Sequence, residues 1–399
     1  MVSEKMKALG VKKSVIREIF EYAKKRKAEI GEDKVFDYSI GNPSVPAPAI
    51  VNETLKELIE NRESTALHGY TSAQGDLGVR TAIADYIKKT YKTEADPNLI
   101  YMTVGAAASL TISFNALITP NSDEEIIAFS PFFPEYRVFV EKAGAKLTVV
   151  PSPAPDFQVD LCAFEKALNE KTRAIIVNSP NNPTGVVLSE STIASMCEIL
   201  KRAEEKYGHP IYLVSDEPYR ELVYGGVKVP YLTNYYDDTI VCYSFSKSLS
   251  LPGERIGYIS VSPKAKDAKD VYAAILGAGR ALGFVCAPAL FQYLIPKCLG
   301  KTADISVYDT NRTLLYEALT SYGYTCAKPD GAFYLYVKAL EDDAYAFYER
   351  AKKYELLLVP GDDFGCGGYV RIAYCVTTEQ IKNSLPAFKK LAEDYKTGK

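Results

Sequence analysis

The chain contains no tryptophan and only two histidines, His68 and His209. A histidine-rich metal centre or a Ser-His-Asp hydrolase therefore has little to build on, and no metal site is expected. Neither a G-x-S-x-G elbow nor a Walker loop is present, which removes the signatures of an α/β-hydrolase and of a P-loop nucleotide enzyme. No uninterrupted apolar run reaches the ~18 residues that mark a membrane span. Charge of one sign is also lacking: 47 Lys and Arg against 50 Asp and Glu leave a net charge of −3, which argues against nucleic acid or an anionic membrane as the main partner. The eight cysteines (Cys162, Cys197, Cys242, Cys286, Cys298, Cys326, Cys366 and Cys375) form no C-x-x-C pair, and they read as buried free thiols of a reducing cytoplasm. Lys5 and Lys7 near the start are followed by no apolar core or small-residue cleavage site, so no secretory signal is expected.

What is present is a regular alternation. At 399 residues a two-domain protein is the natural prior. Strand-length apolar runs occur at Leu99–Val104, Glu125–Ser130, Lys146–Val150, Arg173–Asn178, Ile211–Ser215, Thr239–Ser244 and Ile256–Val261. Helical patterns lie between several of them, at Ala106–Ile118, Glu135–Ala143, Ser189–Tyr207 and Pro263–Leu276. Such an order predicts an α/β fold whose mostly parallel, buried sheet is sandwiched by helices. Ser14–Ile30 reads as a helix capped by Ser14 and stopped by Gly31, with Ile16, Ile19, Phe20 and Ala23 on one face. Beyond Ala303, a long helical pattern to Tyr322, strand candidates Ala332–Val337 and Tyr369–Tyr374, and a last helix from Thr378 predict a smaller α+β domain. The expected division is a large domain over residues 46–290 and a small one from residues 1–45 and 291–399.

In open parallel sheets ligands bind beyond the carboxyl ends of the strands, so the residues just after each strand candidate are where a site should show. Gly105-Ala106-Ala107-Ala108-Ser109 is a small-residue helix start whose free N–H groups suit a phosphate. Pro131-Phe132-Phe133-Pro134 brings aromatic rings. Ser179-Pro180-Asn181-Asn182-Pro183-Thr184-Gly185 is a polar turn, Asp216 comes after Ile211–Ser215, and Ser244-Phe245-Ser246-Lys247 closes the sixth run. A phosphate cradle, a ring platform, an amide, a carboxylate and a lysine on one edge fit an aromatic phosphorylated cofactor with a pyridine nitrogen and an aldehyde.

Over nearly its whole length the chain resembles a fold-type I, class I/II (aspartate aminotransferase-like) pyridoxal-phosphate aminotransferase. The landmarks are Gly41-Asn42-Pro43, Tyr70…Gly75, Gly105–Leu110, Pro131–Tyr136, Asn181–Gly185, Ser215–Tyr219, Ser244–Lys247, Arg255 with Gly257, and Arg371 in Tyr369–Ile372. Each alone is weak; together and in order they are specific. The resemblance implies pyridoxal 5'-phosphate (PLP) held by Lys247 as a Schiff base, with Lys247 later shuttling the substrate α-proton. It pairs Asp216 with the pyridine nitrogen, lays Phe133 rather than Phe132 on the ring, and sets Asn182 and Tyr219 at the phenolic oxygen. Ser244, Arg255 and the backbone of Gly105, Ala106 and Ala107 form the phosphate cup, although the two alanines stand where many relatives carry a hydroxyl. Arg371, with Asn182 and the backbone near Gly41, clamps the substrate carboxylate. Tyr70 reaches the phosphate of a neighbouring subunit, which implies a homodimer with shared sites.

The implied reaction moves an amino group from an amino acid to a 2-oxo acid. A C–S β-lyase or related eliminating enzyme would use the same groups and stays open. A non-catalytic PLP-binding regulator would need an attached DNA-binding module, for which the N-terminal segment offers one helix. A nicotinamide enzyme would need a Gly-x-Gly-x-x-Gly fingerprint that is missing. Arg280 is expected in a connection between two helices near the site mouth, where it would pair with the distal carboxylate of aspartate or glutamate; structural packing or solvent exposure is the alternative. Aromatic amino acids also remain open.

Overall fold

A computed structural model describes residues 2–11, 14–120 and 122–398. Its centre is a seven-stranded sheet of β1 (Ile100–Thr103), β2 (Glu125–Ser130), β3 (Lys146–Pro151), β4 (Thr172–Asn178), β5 (Tyr212–Glu217), β6 (Thr239–Ser244) and β7 (Gly257–Val261), in the order β1-β7-β6-β5-β4-β2-β3. Parallel pairing runs from β3 through β2, β4 and β5 to β6, while β7 is antiparallel to both of its neighbours. Six strands thus point one way. The seven apolar runs are the seven strands, because a sheet covered on both faces needs apolar side chains at nearly every position. The reversal of β7 has a local cause. Residues 245–256 hold only the four-residue helix Phe245–Ser248 and a 3-10 turn, too little for the crossover that returns a parallel strand.

Helices α2 (Ala106–Leu117), α3 (Glu135–Ala143), α4 (Glu190–Tyr207) and α5 (Ala268–Leu282) cover the sheet. On one face Leu110, Ile112 and Phe114 of α2 and Tyr272 and Ile275 of α5 pack over Ile126, Ala128 and Ile259. On the other, Met196, Ile199 and Leu200 of α4 pack over Ile175, Val177 and Leu213. Helix α5 continues to Leu282, past the expected end at Leu276, and carries Gly277, Gly279 and Arg280 within it. The glycine has a packing reason at 279, where a Cβ would lie 2.4 Å from the Tyr101 hydroxyl.

A second core joins the C-terminal part to the N-terminal segment. Helix α1 (Val15–Ile30) buries Ile19 and Ala23 against a cluster that includes Tyr38, Leu315, Phe347, Leu357 and Phe388. The same cluster contains residues of α6 (Ser306–Tyr322), α7 (Thr378–Thr397) and an antiparallel sheet of β8 (Tyr334–Lys338), β9 (Val359–Pro360) and β10 (Tyr369–Ala373). Two details depart from expectation. Phe20 is exposed, because the buried stripe of α1 runs through Val15, Ile16, Ile19 and Ala23 instead. Ser14 sits at the cap, but its backbone oxygen rather than its side chain accepts the helix N–H groups. The helix Ala289–Cys298 packs Leu294 and Ile295 against Val51, Val79 and Ile83. All eight cysteines are free, but Cys162 is exposed, and Cys286, Cys326 and Cys366 are only half-buried. Among the described residues no helix is long and apolar enough to cross a membrane, and no cluster of potential metal ligands occurs.

Candidate active site

A cavity of about 290 Å³ opens at the carboxyl edge of the large sheet, between the two cores. The strand ends meet there. From the end of β6 comes Ser244, from the short helix after it come Ser246 and Lys247, and from β5 comes Asp216. Asp216 lies inside its strand rather than after it, since β5 runs on to Glu217. Alternation then sends Glu217 to the opposite face, where it pairs with buried Arg220. Because β7 is antiparallel, its beginning lies at this edge, and Arg255, just before it, lines the cavity.

Lys247 donates from Nζ to the carbonyl of Gly41 at 2.7 Å, with Nζ 5.5 Å from the centre of the Phe333 ring. Burial lowers its pKa to about 8, and the positive charges of Arg255 and Arg371 act in the same direction. Roughly a tenth of the amine is then neutral at pH 7, far more than for an ordinary lysine. Gly41 is required at its position, since a Cβ there would fall 2.0 Å from the Tyr334 hydroxyl.

Asp216 is buried. Its Oδ2 accepts from Tyr136 at 2.5 Å, while Oδ1 is buried without a hydrogen-bond partner. Burial pushes its pKa up to about 7, and the Glu217 charge adds to this while Tyr136 opposes it. A buried carboxylate oxygen without a donor is costly, and a cationic N–H in the cavity would satisfy it. Arg371 is buried as well. It donates from NH1 to Asn182 Oδ1 at 3.1 Å and from NH2 to the Ser39 carbonyl at 2.5 Å, leaving Nε without a partner. With its oxygen committed to Arg371, the amide nitrogen of Asn182 is the end left to donate. The Tyr219 hydroxyl is 2.9 Å from that of Tyr334.

At the far end, Gly105 (φ +90°) caps α2, and Ala106 and Ala107 line the cavity with its first turn. A Cβ on Gly105 would lie 2.7 Å from Arg255 NH2. Arg255 itself holds φ +52°, a left-handed conformation that a non-glycine residue adopts only when its surroundings impose it. Phe133 lines the cavity; Phe132 is buried and stacked on Tyr136.

Of the residues named from sequence, Gly41, Ala106, Ala107, Phe133, Asn182, Asp216, Tyr219, Ser244, Lys247, Arg255 and Arg371 line this one cavity, and Gly105 abuts Arg255. Two do not. Tyr70 is 98% exposed, and Arg280 lies exposed in the last turn of α5, not in a connection; neither lines the cavity. The structure adds Ile16, Leu110, Asn178, Ser246 and Tyr334 to the wall. Ile16 carried a signal in the apolar face of α1. Asn178 had one as a strand-end amide, and its Nδ2 donates to the Asp216 carbonyl at 2.9 Å. Tyr334 had none beyond strand alternation.

The doubly covered sheet thus presents an amine, a carboxylate and a guanidinium together at its carboxyl edge, a set suited to an enzyme that binds a small carboxylate-bearing substrate. The chain is a member of the aminotransferase class I and II family, whose model matches residues 33–388. A crystal structure of an amino transferase from Eubacterium rectale is 56% identical, with a TM-score of 0.97 and 99% of each chain covered. Aromatic-amino-acid aminotransferase 2 of Thermococcus litoralis is 30% identical over 97% of both chains. The (5-formylfuran-3-yl)methyl phosphate transaminase of Methanocaldococcus jannaschii is 32% identical over 92% of this chain and 93% of its own. The protein is therefore an enzyme that transfers an amino group between an amino acid and a 2-oxo acid, in a family that works with pyridoxal 5'-phosphate.

Proposed function

We propose that the cavity holds pyridoxal 5'-phosphate, with Lys247 at its reactive carbon, and that the substrate carboxylate docks on Arg371. The observation that carries this reading is the pair of unpartnered buried atoms, Asp216 Oδ1 and Arg371 Nε, in one cavity with a lysine of lowered pKa. An acceptor and a donor left open suit a pyridinium N–H and a carboxylate respectively. When bound, the pyridoxal ring supplies an electron sink for the α-carbon. Asp216 keeps the ring nitrogen charged, Phe133 backs the ring, and Asn182 and Tyr219 donate to its phenolic oxygen. Ser244, Arg255 and the first N–H groups of α2 hold the phosphate. Lys247, steadied by the Gly41 carbonyl, takes the α-proton and returns it.

Gly105→Ala tests the phosphate end. A side chain at φ +90° is strained by about 1–3 kcal/mol and would displace Arg255. The variant is expected to hold the cofactor at least about tenfold more weakly, read by absorbance titration of the apoprotein. Unchanged affinity would detach this turn from phosphate binding.

We propose further that the enzyme is a cytoplasmic homodimer in which Tyr70 and Arg280, both exposed and absent from the wall of this chain's own cavity, reach the cavity of a second copy. Arg280 would then meet the distal carboxylate of aspartate or glutamate. A charge-assisted contact of about 1.5–3 kcal/mol corresponds to about ten- to a hundredfold. The function is tested by a donor screen with a common 2-oxo acid acceptor, run on the protein and on Arg280→Ala with aspartate, glutamate, tyrosine and alanine. A selective loss on the two acids is expected. An equal effect on all four removes Arg280 from specificity, and no transfer from any donor removes the reading itself.

A further inference from the structure

Tyr334 on β8 is buried where three parts of the site meet. Its hydroxyl lies 2.9 Å from Tyr219 Oη, its ring lies under the Arg371 guanidinium at 4.7 Å, and it packs against Gly41, the residue that accepts from Lys247. We infer that Tyr334 is a positioning residue that donates its hydroxyl proton to Tyr219 Oη, so that Tyr219 presents its own proton firmly to the phenolic oxygen of the cofactor.

The argument is one of proton counting. Two hydroxyls that share one hydrogen bond have one further proton to give. If Tyr219 gives its proton to the phenolic oxygen, the bond between the tyrosines runs from Tyr334 to Tyr219. The groups facing Tyr334 are Arg371, Cys375 and Tyr219; those facing Tyr219 include Asp216, Arg371 and Tyr334. Burial raises both phenols, and the Arg371 charge opposes this in both. A hydroxyl that receives a hydrogen bond becomes a better donor in turn.

The inference rests on the proposed cofactor site, and its test separates the two. A firm donor on the phenolic oxygen draws negative charge away from the proton that this oxygen shares with Lys247 Nζ, so that proton leaves at lower pH. The holoenzyme, without substrate, is titrated by its visible absorption band. Tyr334→Phe keeps every ring contact and removes only the hydroxyl. Its midpoint is expected to move up by about 0.4 to 1 pH unit, the worth of one neutral hydrogen bond. Tyr219→Phe should move it further, and adding Tyr334→Phe to that variant should change nothing more, because the effect passes through Tyr219. An unshifted midpoint in Tyr334→Phe, or full additivity in the double variant, overturns the role. Absence of a visible band in the unaltered protein would instead overturn the cofactor site.

Discussion

Lys247→Ala is expected to lower transamination by at least about 10⁴-fold, because on the proposed reading it removes both the nucleophile and the proton carrier. The visible band should vanish while the variant folds, since the side chain makes one hydrogen bond, to the Gly41 carbonyl. Free cofactor should still be retained through Arg255, Ser244 and the start of α2, which remain intact. Steady-state turnover with matched absorbance spectra decides the point. Turnover within tenfold of the unaltered enzyme would exclude Lys247 from the reaction. A lysine lowered to about 8 by burial and by two arginines is poised to give up its proton near neutrality, which an exposed lysine is not.

The second large effect is expected at Asp216. If Asp216 pairs with the ring nitrogen as proposed, Asp216→Asn keeps the shape but cannot hold a positive charge there, and activity should fall by about 10³-fold or more, well beyond one neutral hydrogen bond. The same substitution has a signature without cofactor. In the folded apoprotein the carboxyl titrates at about 7, against an ordinary value of 3.8. Between those values the folded state binds more protons than the unfolded one, so stability is full below the ordinary value and falls as pH rises toward 7. The loss is on the order of 4 kcal/mol. Chemical denaturation at pH 5 and pH 8 should show about 2.5 kcal/mol of this loss in the apoprotein, because pH 5 already lies above the ordinary value, and much less of it in Asp216→Asn or in the holoenzyme. Equal pH dependence in apoprotein and variant would mean that Asp216 is not the buried titrating group.

Much of this was legible along the chain, because strand, turn and helix starts are local events. Lys247 comes after a strand whose six residues are all buried, Asp216 is the last residue but one of another, and Gly105 opens a helix. In an open parallel sheet such positions fall on one edge whatever the sheet order. The choice of Phe133 over Phe132 came from the family resemblance and not from local pattern; Phe133 is the one that lines the cavity. Arg280 was misplaced because the helical pattern read from the sequence ends at Leu276, just before Gly277 and Gly279. In the structure Gly279 fits against Tyr101 and the helix runs through, so tertiary packing overrode a weak local preference.

The sequence by itself determined the class of fold, the order of its strands along the chain and the residues offered at their ends, since apolar periodicity and turn chemistry act over a few neighbours. Tertiary structure alone decided how those residues were matched. The reversal of β7 put Arg255 at the edge. Packing of the N-terminal helix brought Ile16 to the cavity wall, and Tyr334 met Tyr219 from 115 residues away. Burial moved Asp216 and Lys247 toward neutrality from opposite sides. A pKa depends on the dielectric and charges around a group, and a hydroxyl pair depends on which surfaces press together, and neither is written in the spacing of residues along a chain.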